Sequence, residues 1–347
     1  MSDGSTSLIL VSGYAAADQP GIHAFTYHPT AGTLTPLGQY AGVRNPSFLR
    51  LHPAGHTLYA ASEIAAGEVH ALALSRDPWQ LQPLNLQPSG GATPCHLAVT
   101  PDGCWVIAAN YGGTVALLPI DDTGALGAPA DVVQHQGNGP RSDRQDGPHC
   151  HSATISPDGR FAIVADLGAD VLVIYRIDGI AGRLLRHDVV KAAPGAGPRH
   201  IAVHPDGRVM YVINELDCTV TVYGYDPVIG SLHYRQTIPT LPPGAPRSDA
   251  ADIQVSPDGS RLYASNRGHN SIAIFAIDSD AMLREVALRP CGGDWPRNFA
   301  LLPGNRHLLV ANQHSNAVAL LPLDDAYGVA APLGRYAVPG AACIFVV

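Results

Sequence analysis

Charge and aromatic rings are both scarce in this chain: Asp, Glu, Lys and Arg together make up 14% of its 347 residues, and Phe, Trp and Tyr only 6%. So few charges cannot cover many exposed helical faces, and a chain that is 46% hydrophobic has no reason to stay unfolded, which sets aside helical-bundle and disordered readings. No run approaches the roughly 18 apolar residues of a membrane-crossing helix. Residues 1–7 lack the basic and apolar segments of a secretory signal and read as a flexible N-terminus. The six cysteines (Cys95, Cys104, Cys150, Cys218, Cys291 and Cys343) show no CxxC spacing and mostly sit in apolar strand-like runs, as small hydrophobes do. These absences lead to the expectation of a reduced, cytoplasmic setting. A net charge of −8 argues against nucleic acid or an anionic membrane as partner, and it requires that any anionic substrate be held by a local cluster of cations. Oligomeric state is not legible in the sequence.

What the chain does have is turns, with 36 Gly and 30 Pro, and an internal repeat. An apolar strand, then Pro-Asp-Gly or a close variant, then a second apolar strand recurs six times. The anchoring prolines are Pro53, Pro101, Pro157, Pro205, Pro257 and Pro303, spaced 48, 56, 48, 52 and 46 residues apart. Each unit continues into an alternating strand, such as Ser271 to Ile277, and a weaker fourth segment. Period-two alternation between turn signals means strands, and four per unit is the make-up of a propeller blade. A seventh unit is assembled from the two ends: Leu8–Tyr14 reads as a second strand without a first, and Ala341–Val347 as a first strand with nothing after it. The expectation is an all-β, seven-bladed propeller of four antiparallel strands per blade. It occupies 8–347 as one domain, with the ring closed by pairing the termini and so freed of sheet edges. No Trp-Asp dipeptide recurs, which weakens the alternative of a WD-type binding scaffold.

The repeat register locates unusual residues. Six before the proline stand Ser47, Cys95, His151, Arg199, Ala251 and Arg297; ten after it stand Glu63, Tyr111, Leu167, Glu215, Arg267 and Gln313. The positions between are apolar, so each hairpin is apolar inside and one end abruptly carries His, Arg and Glu. If the first strand lines the central channel, these charges meet at one mouth, where they are costly unless paired or binding something. Two loops, 137–148 and 242–249, lead into first strands at that mouth and share a Pro-Arg-Ser-Asp element. Their Arg141, Arg144 and Arg247 are candidate phosphate ligands. By contrast, Asn110, Asp166, Asn214, Asn266 and Asn312 recur nine after the proline and read as a structural hydrogen bond. Trp79, Trp105 and Trp295 are expected to pack between blades.

Gly147-Pro-His-Cys-His-Ser152, Gly197-Pro-Arg-His200, Asn214-Glu-Leu-Asp217, Ser265-Asn-Arg267 and Pro296-Arg-Asn-Phe299 resemble the seven-bladed propeller lactonases, a family of bacterial 6-phosphogluconolactonases and fungal carboxymuconate lactonizing enzymes. The likeness runs from about Leu8 to Val347. Carried over by motif, it implies His151, Arg199, Glu215 and Arg267 as catalytic residues; the repeat register, the loops and the neighbouring histidines add His149, His200, Arg297, Arg144, Glu63 and Gln313 around the substrate. The resemblance further implies a small sugar lactone as substrate, 6-phosphogluconolactone before an unphosphorylated aldonolactone or a carboxymuconate. Glu215 or His151 is the expected base toward water, Arg199 the oxyanion partner and Arg267 a phosphate ligand. No cofactor is implied. A divalent cation on His149, His151 and His200 is the rival to a metal-free site, and the missing Gly-x-Ser-x-Gly elbow argues against a serine esterase.

Overall fold

The computed structural model describes residues 6–323 and 331–347. Of the segment 1–7 read as flexible, residues 1–5 lie outside the described residues, while Ser7 opens the first strand. Every regular element among the described residues is a strand, and the strands form seven four-stranded antiparallel sheets. Blades 1 to 6 span 46–88, 94–134, 150–191, 198–239, 249–290 and 296–337. Blade 7 joins Ala341–Val346 to Ser7–Gly13, in the register Ile9 to Val346, Leu10 to Phe345 and Val11 to Ile344.

The turns explain why the repeat folds this way. In each Pro-x-Gly turn the glycine takes the positive φ that its neighbours avoid, 73° at Gly103 and 74° at Gly159 for example. The aspartate before it accepts from the backbone two residues on, as Asp102 Oδ1 does from the Cys104 amide at 3.0 Å. The first strand of each blade is innermost and touches the first strand of the next all the way round, including Ala341–Val346 against both Pro296–Leu301 and Pro46–Leu51. Second strands such as Phe161–Asp166 and Val209–Asn214 are wholly buried, while fourth strands such as Arg183–Lys191 are mostly exposed. Six apolar clusters run between adjacent blades and close the ring without a gap.

In blades 2, 3 and 5 the recurrent Asn/Asp bonds to the segment entering its blade: Ser89 Oγ donates to Asn110 at 2.6 Å, Thr240 Oγ1 to Asn266 at 2.6 Å, and His135 meets Asp166 at 2.8 Å, whereas Asn214 donates to Thr219 and Thr221 of its own blade. All three tryptophans pack between blades. Trp79 packs against Gly38 of blade 7, and Trp105 sits beside Gly179 and Gly182 of blade 3. A Cβ at Gly38 would lie 2.5 Å from the Trp79 ring. Gly38→Ala is therefore expected to lower the unfolding free energy by about 1–3 kcal/mol, the usual cost of overpacking, read as a shift in the urea midpoint. Trp295 bridges blades 5 and 6 at the channel mouth. It stacks on His314 (centroids 4.6 Å apart, planes 18°) and carries the Arg267 guanidinium over its face at 5.5 Å.

Candidate active site

A bulge near the start of each inner strand builds one mouth of the channel. Pairing with the second strand slips between Pro46 and Phe48, Pro94 and His96, Cys150 and Ser152, Pro198 and His200, Ala250 and Ile253, and Pro296 and Asn298. The slipped residues are the six that stand six before the proline, with Asp252 joining Ala251 in blade 5. A bulged residue leaves the ladder and its side chain is re-aimed, so His151, Arg199 and Arg297 turn into the channel instead of alternating with their neighbours. The second strands end at the same mouth and deliver Glu63, Tyr111, Glu215 and Arg267.

Glu215 is the centre. It is 2% exposed, and its carboxylate takes Arg199 Nε at 2.8 Å and Arg267 Nη2 at 2.7 Å on Oε2, with Arg144 Nη2 on Oε1. Burial alone would raise its pKa, but the guanidiniums of Arg267, Arg199 and Arg144 overcome it and hold the carboxyl at about 2. Arg199 is 1% exposed. Burial and the charge of Arg267 outweigh Glu215 and pull its pKa down to about 10, so it remains a cation. Its Nη1 donates to the Ala251 carbonyl at 2.5 Å and to His200 Nε2 at 3.2 Å, while Nη2 has no partner among the described residues. Arg267 also donates to the carbonyls of Asp249 at 3.2 Å and Ala250 at 3.1 Å.

A second ion pair lies across the mouth. Arg297 Nη2 reaches Glu63 Oε2 at 3.5 Å, the Tyr14 hydroxyl donates to the same oxygen at 2.7 Å, and Arg297 lies over the Tyr14 ring at 5.3 Å. Burial pushes the Tyr14 phenol up, so it stays protonated. His151 is 5% exposed. Burial, then the charges of Arg199, Arg297 and Arg267, hold its pKa well below 6.5, and it is a neutral imidazole. Its ring meets Tyr111 edge-on at 5.9 Å and His200 at 5.3 Å, and its buried Nδ1 has no partner among the described residues. An orphaned buried nitrogen beside a cluster of cations is where an incoming molecule would be bound.

The remaining expected residues divide by depth. Arg144 comes in from loop 137–148 and also meets Asp249 at 3.6 Å. His149 forms the outer wall, stacked on Tyr111 with centroids 4.2 Å apart and its Nδ1 at 2.8 Å from the Tyr111 carbonyl. His200 lies a layer below Arg199, bonded through Nδ1 to Asp252 at 2.8 Å. Gln313 follows the second strand of blade 6 with its Oε1 buried and unpartnered, and it makes no side-chain contact with the charged cluster among the described residues. His149, His151 and His200 do not form a group of converging donor atoms. The group that does, among the described residues, is His135, Cys150 and Asp166. There His135 is already engaged on both nitrogens, by Asp166 and by Tyr175 at 2.8 Å. The two Pro-Arg-Ser-Asp loops are tied by Arg247 to Asp143 at 3.2 Å, and Arg141 Nη1 donates to the Leu216 carbonyl at 2.8 Å.

A propeller whose channel mouth gathers buried arginines around one carboxylate, next to a neutral histidine, has the make-up of an enzyme pocket and not of a docking rim. The chain belongs to the lactonase family of seven-bladed β-propellers, whose model (Lactonase, 7-bladed beta-propeller) matches residues 8–346. It is similar to the 6-phosphogluconolactonase of Formosa agariphila, 33% identical over 88% of each chain, and to that of Bacillus subtilis, 31% identical over 92% of this chain and 91% of that protein. Among solved structures it resembles the periplasmic gluconolactonase of Pseudomonas aeruginosa, with a TM-score of 0.94 and 30% identity over 99% of each chain. No helix among the described residues is long and apolar enough to cross a membrane.

Proposed function

We propose that the protein hydrolyses a sugar δ-lactone, 6-phosphogluconolactone being the substrate, in a cytoplasmic setting consistent with its six free cysteines. The observation that carries the reading is the pairing of an unpartnered Arg199 Nη2 with a neutral His151 whose Nδ1 is also unpartnered. Lactone opening needs these two things. His151 accepts a proton from water as the oxygen attacks the ring carbonyl, and Arg199 stabilises the oxyanion that forms. Collapse of the tetrahedral intermediate breaks the bond to the ring oxygen, which takes the proton back from His151 and leaves a hydroxyl and a carboxylic acid that gives up its own proton to solvent. Glu215, held at about 2 by three guanidiniums, is too weak a base for this step and serves to fix the arginines.

Two features support the phosphorylated lactone. Curated relatives bear that name. At the rim, Arg141 and Arg247 share a single carboxylate, Asp143, which leaves positive charge to spare. The side chain of Arg247 is 70% exposed, so its pair with Asp143 is easily exchanged for a phosphate. Arg247→Ala is expected to raise KM for 6-phosphogluconolactone about tenfold, the worth of one such contact, and to leave KM for gluconolactone unchanged. Steady-state acid release on both lactones, corrected for spontaneous opening, makes the measurement. Equal effects on the two would remove the phosphate from the reading, and no acceleration of either by the native protein would remove the lactone.

A further inference from the structure

Beneath Arg199 runs a chain of hydrogen bonds whose direction is set at its far end by backbone amides. The Ile344 amide donates to Asn298 Oδ1 at 2.7 Å, which leaves Asn298 Nδ2 to donate to Asp252 Oδ2 at 2.6 Å. The Phe299 amide donates to the same Oδ2 at 3.2 Å. Asp252 Oδ1 then faces His200 Nδ1 at 2.8 Å, and His200 Nε2 faces Arg199 Nη1 at 3.2 Å. The four links come from the inner strands of blades 7, 6, 5 and 4 and cross the channel one layer below the mouth. Asp252, His200 and Asn298 are all under 9% exposed. An arginine can only donate and an ionised carboxylate can only accept, so this geometry admits one arrangement: His200 carries its proton on Nδ1 and offers the Nε2 lone pair to Arg199.

We propose that Asp252 is a positioning residue for the hydrolytic site: by fixing the Nδ1–H tautomer of His200 it makes His200 an acceptor for Arg199 Nη1, and so holds the other arm of that guanidinium, Nη2, toward the reacting carbonyl. The proposal rests on the role given above to Arg199. Two further facts agree with it. Burial, then Arg199, Arg297 and Arg50, keep His200 neutral, so it has a single proton to place. Arg199 has no other acceptor on that nitrogen except the Ala251 carbonyl. Without the His200 lone pair, one Nη1 hydrogen would be buried unsatisfied, and the guanidinium would have to turn to find it a partner.

The discriminating variant is Asp252→Asn, which keeps shape and removes charge. Phe299 N and Asn298 Nδ2 both donate toward the Oδ2 position, so the new amide must place its oxygen there and its NH2 against His200 Nδ1. The imidazole is then driven to the Nε2–H tautomer, donor against donor with Arg199. The expected result, with whichever lactone the native protein turns over, is a kcat lowered about 100-fold with KM within about threefold, the size of effect seen when one oxyanion donor is lost. The thermal midpoint should shift little, because burial already pushes the Asp252 carboxyl up to about 6 and the more easily buried amide offsets the lost bond between His200 and Arg199. In ¹⁵N-resolved NMR of the histidine rings, His200 should be Nδ1–H in the native protein and Nε2–H in the variant. A folded variant with native kcat overturns the proposal. So does a native His200 found as Nε2–H, a readout that needs neither activity nor a stable variant. Because the tautomer is read without substrate, it stands or falls apart from the choice of lactone.

Discussion

Replacing His151 by phenylalanine is expected to lower kcat by about 10² to 10⁴ while leaving KM within a few-fold, the range for loss of a general base. The phenyl ring preserves the volume between Tyr111 and His200 and has no nitrogen to receive the proton of water. Stability should change little or rise, since the variant removes a buried nitrogen without a partner. The pH profile provides a second check. A base works in its unprotonated form, so activity falls when pH drops below its pKa. Burial and the neighbouring arginines hold His151 well below the ordinary 6.5, and the acid limb of kcat/KM must therefore lie below that value. Background-corrected rates of acid release between about pH 5 and 8 measure both. A variant with activity within threefold of native, or an acid limb above 6.5, would take the proton transfer away from His151.

The fold was readable because a propeller repeats its punctuation: Pro-Asp-Gly marks the same turn in blade after blade, and the orphan strands at the two termini complete each other. The members of the charged mouth were readable by the same register. Their geometry was not, because it depends on the bulges. Strict alternation places Arg199 and His200 on opposite faces of a strand, whereas the slip between Pro198 and His200 lets both serve the channel at different depths. It hid Asp252 for the same reason, one residue beyond the position that drew notice. Tyr14 stands where Glu63 and Glu215 stand in their blades, but blade 7 has no turn proline from which to count, and its register appears only once the ring is closed. Trp295 shows what reading by residue type leaves out: it stands between blades 5 and 6, as a tryptophan suits, but it does so at the mouth, under Arg267 and against His314.

Glu215→Gln is expected to damage stability and activity together, and the balance between the two decides what the carboxylate does. In the native protein one buried anion is shared by Arg144, Arg199 and Arg267. The amide cannot accept from all three, and Arg199 and Arg267, both almost fully buried, would be left as neighbouring uncompensated cations. Removing one partner of a buried charge pair typically costs about 3–5 kcal/mol, and that loss is expected in equilibrium urea unfolding at neutral pH. The pH dependence carries a sign that can be tested separately. The carboxyl is at about 2 in the folded chain against 4.5 ordinarily, so its stabilisation is complete above 4.5 and is lost as pH falls through 2. The native protein should therefore lose stability between those limits, and the variant should not show that loss from this group. Arg144 and Arg267 splaying apart would also take Arg199 with them, so kcat should fall. An unfolding free energy equal to the native one, together with a kcat reduced 10³-fold, would mean that Glu215 spends its charge on the proton of water and not on the arginines, and would return to it the part assigned here to His151.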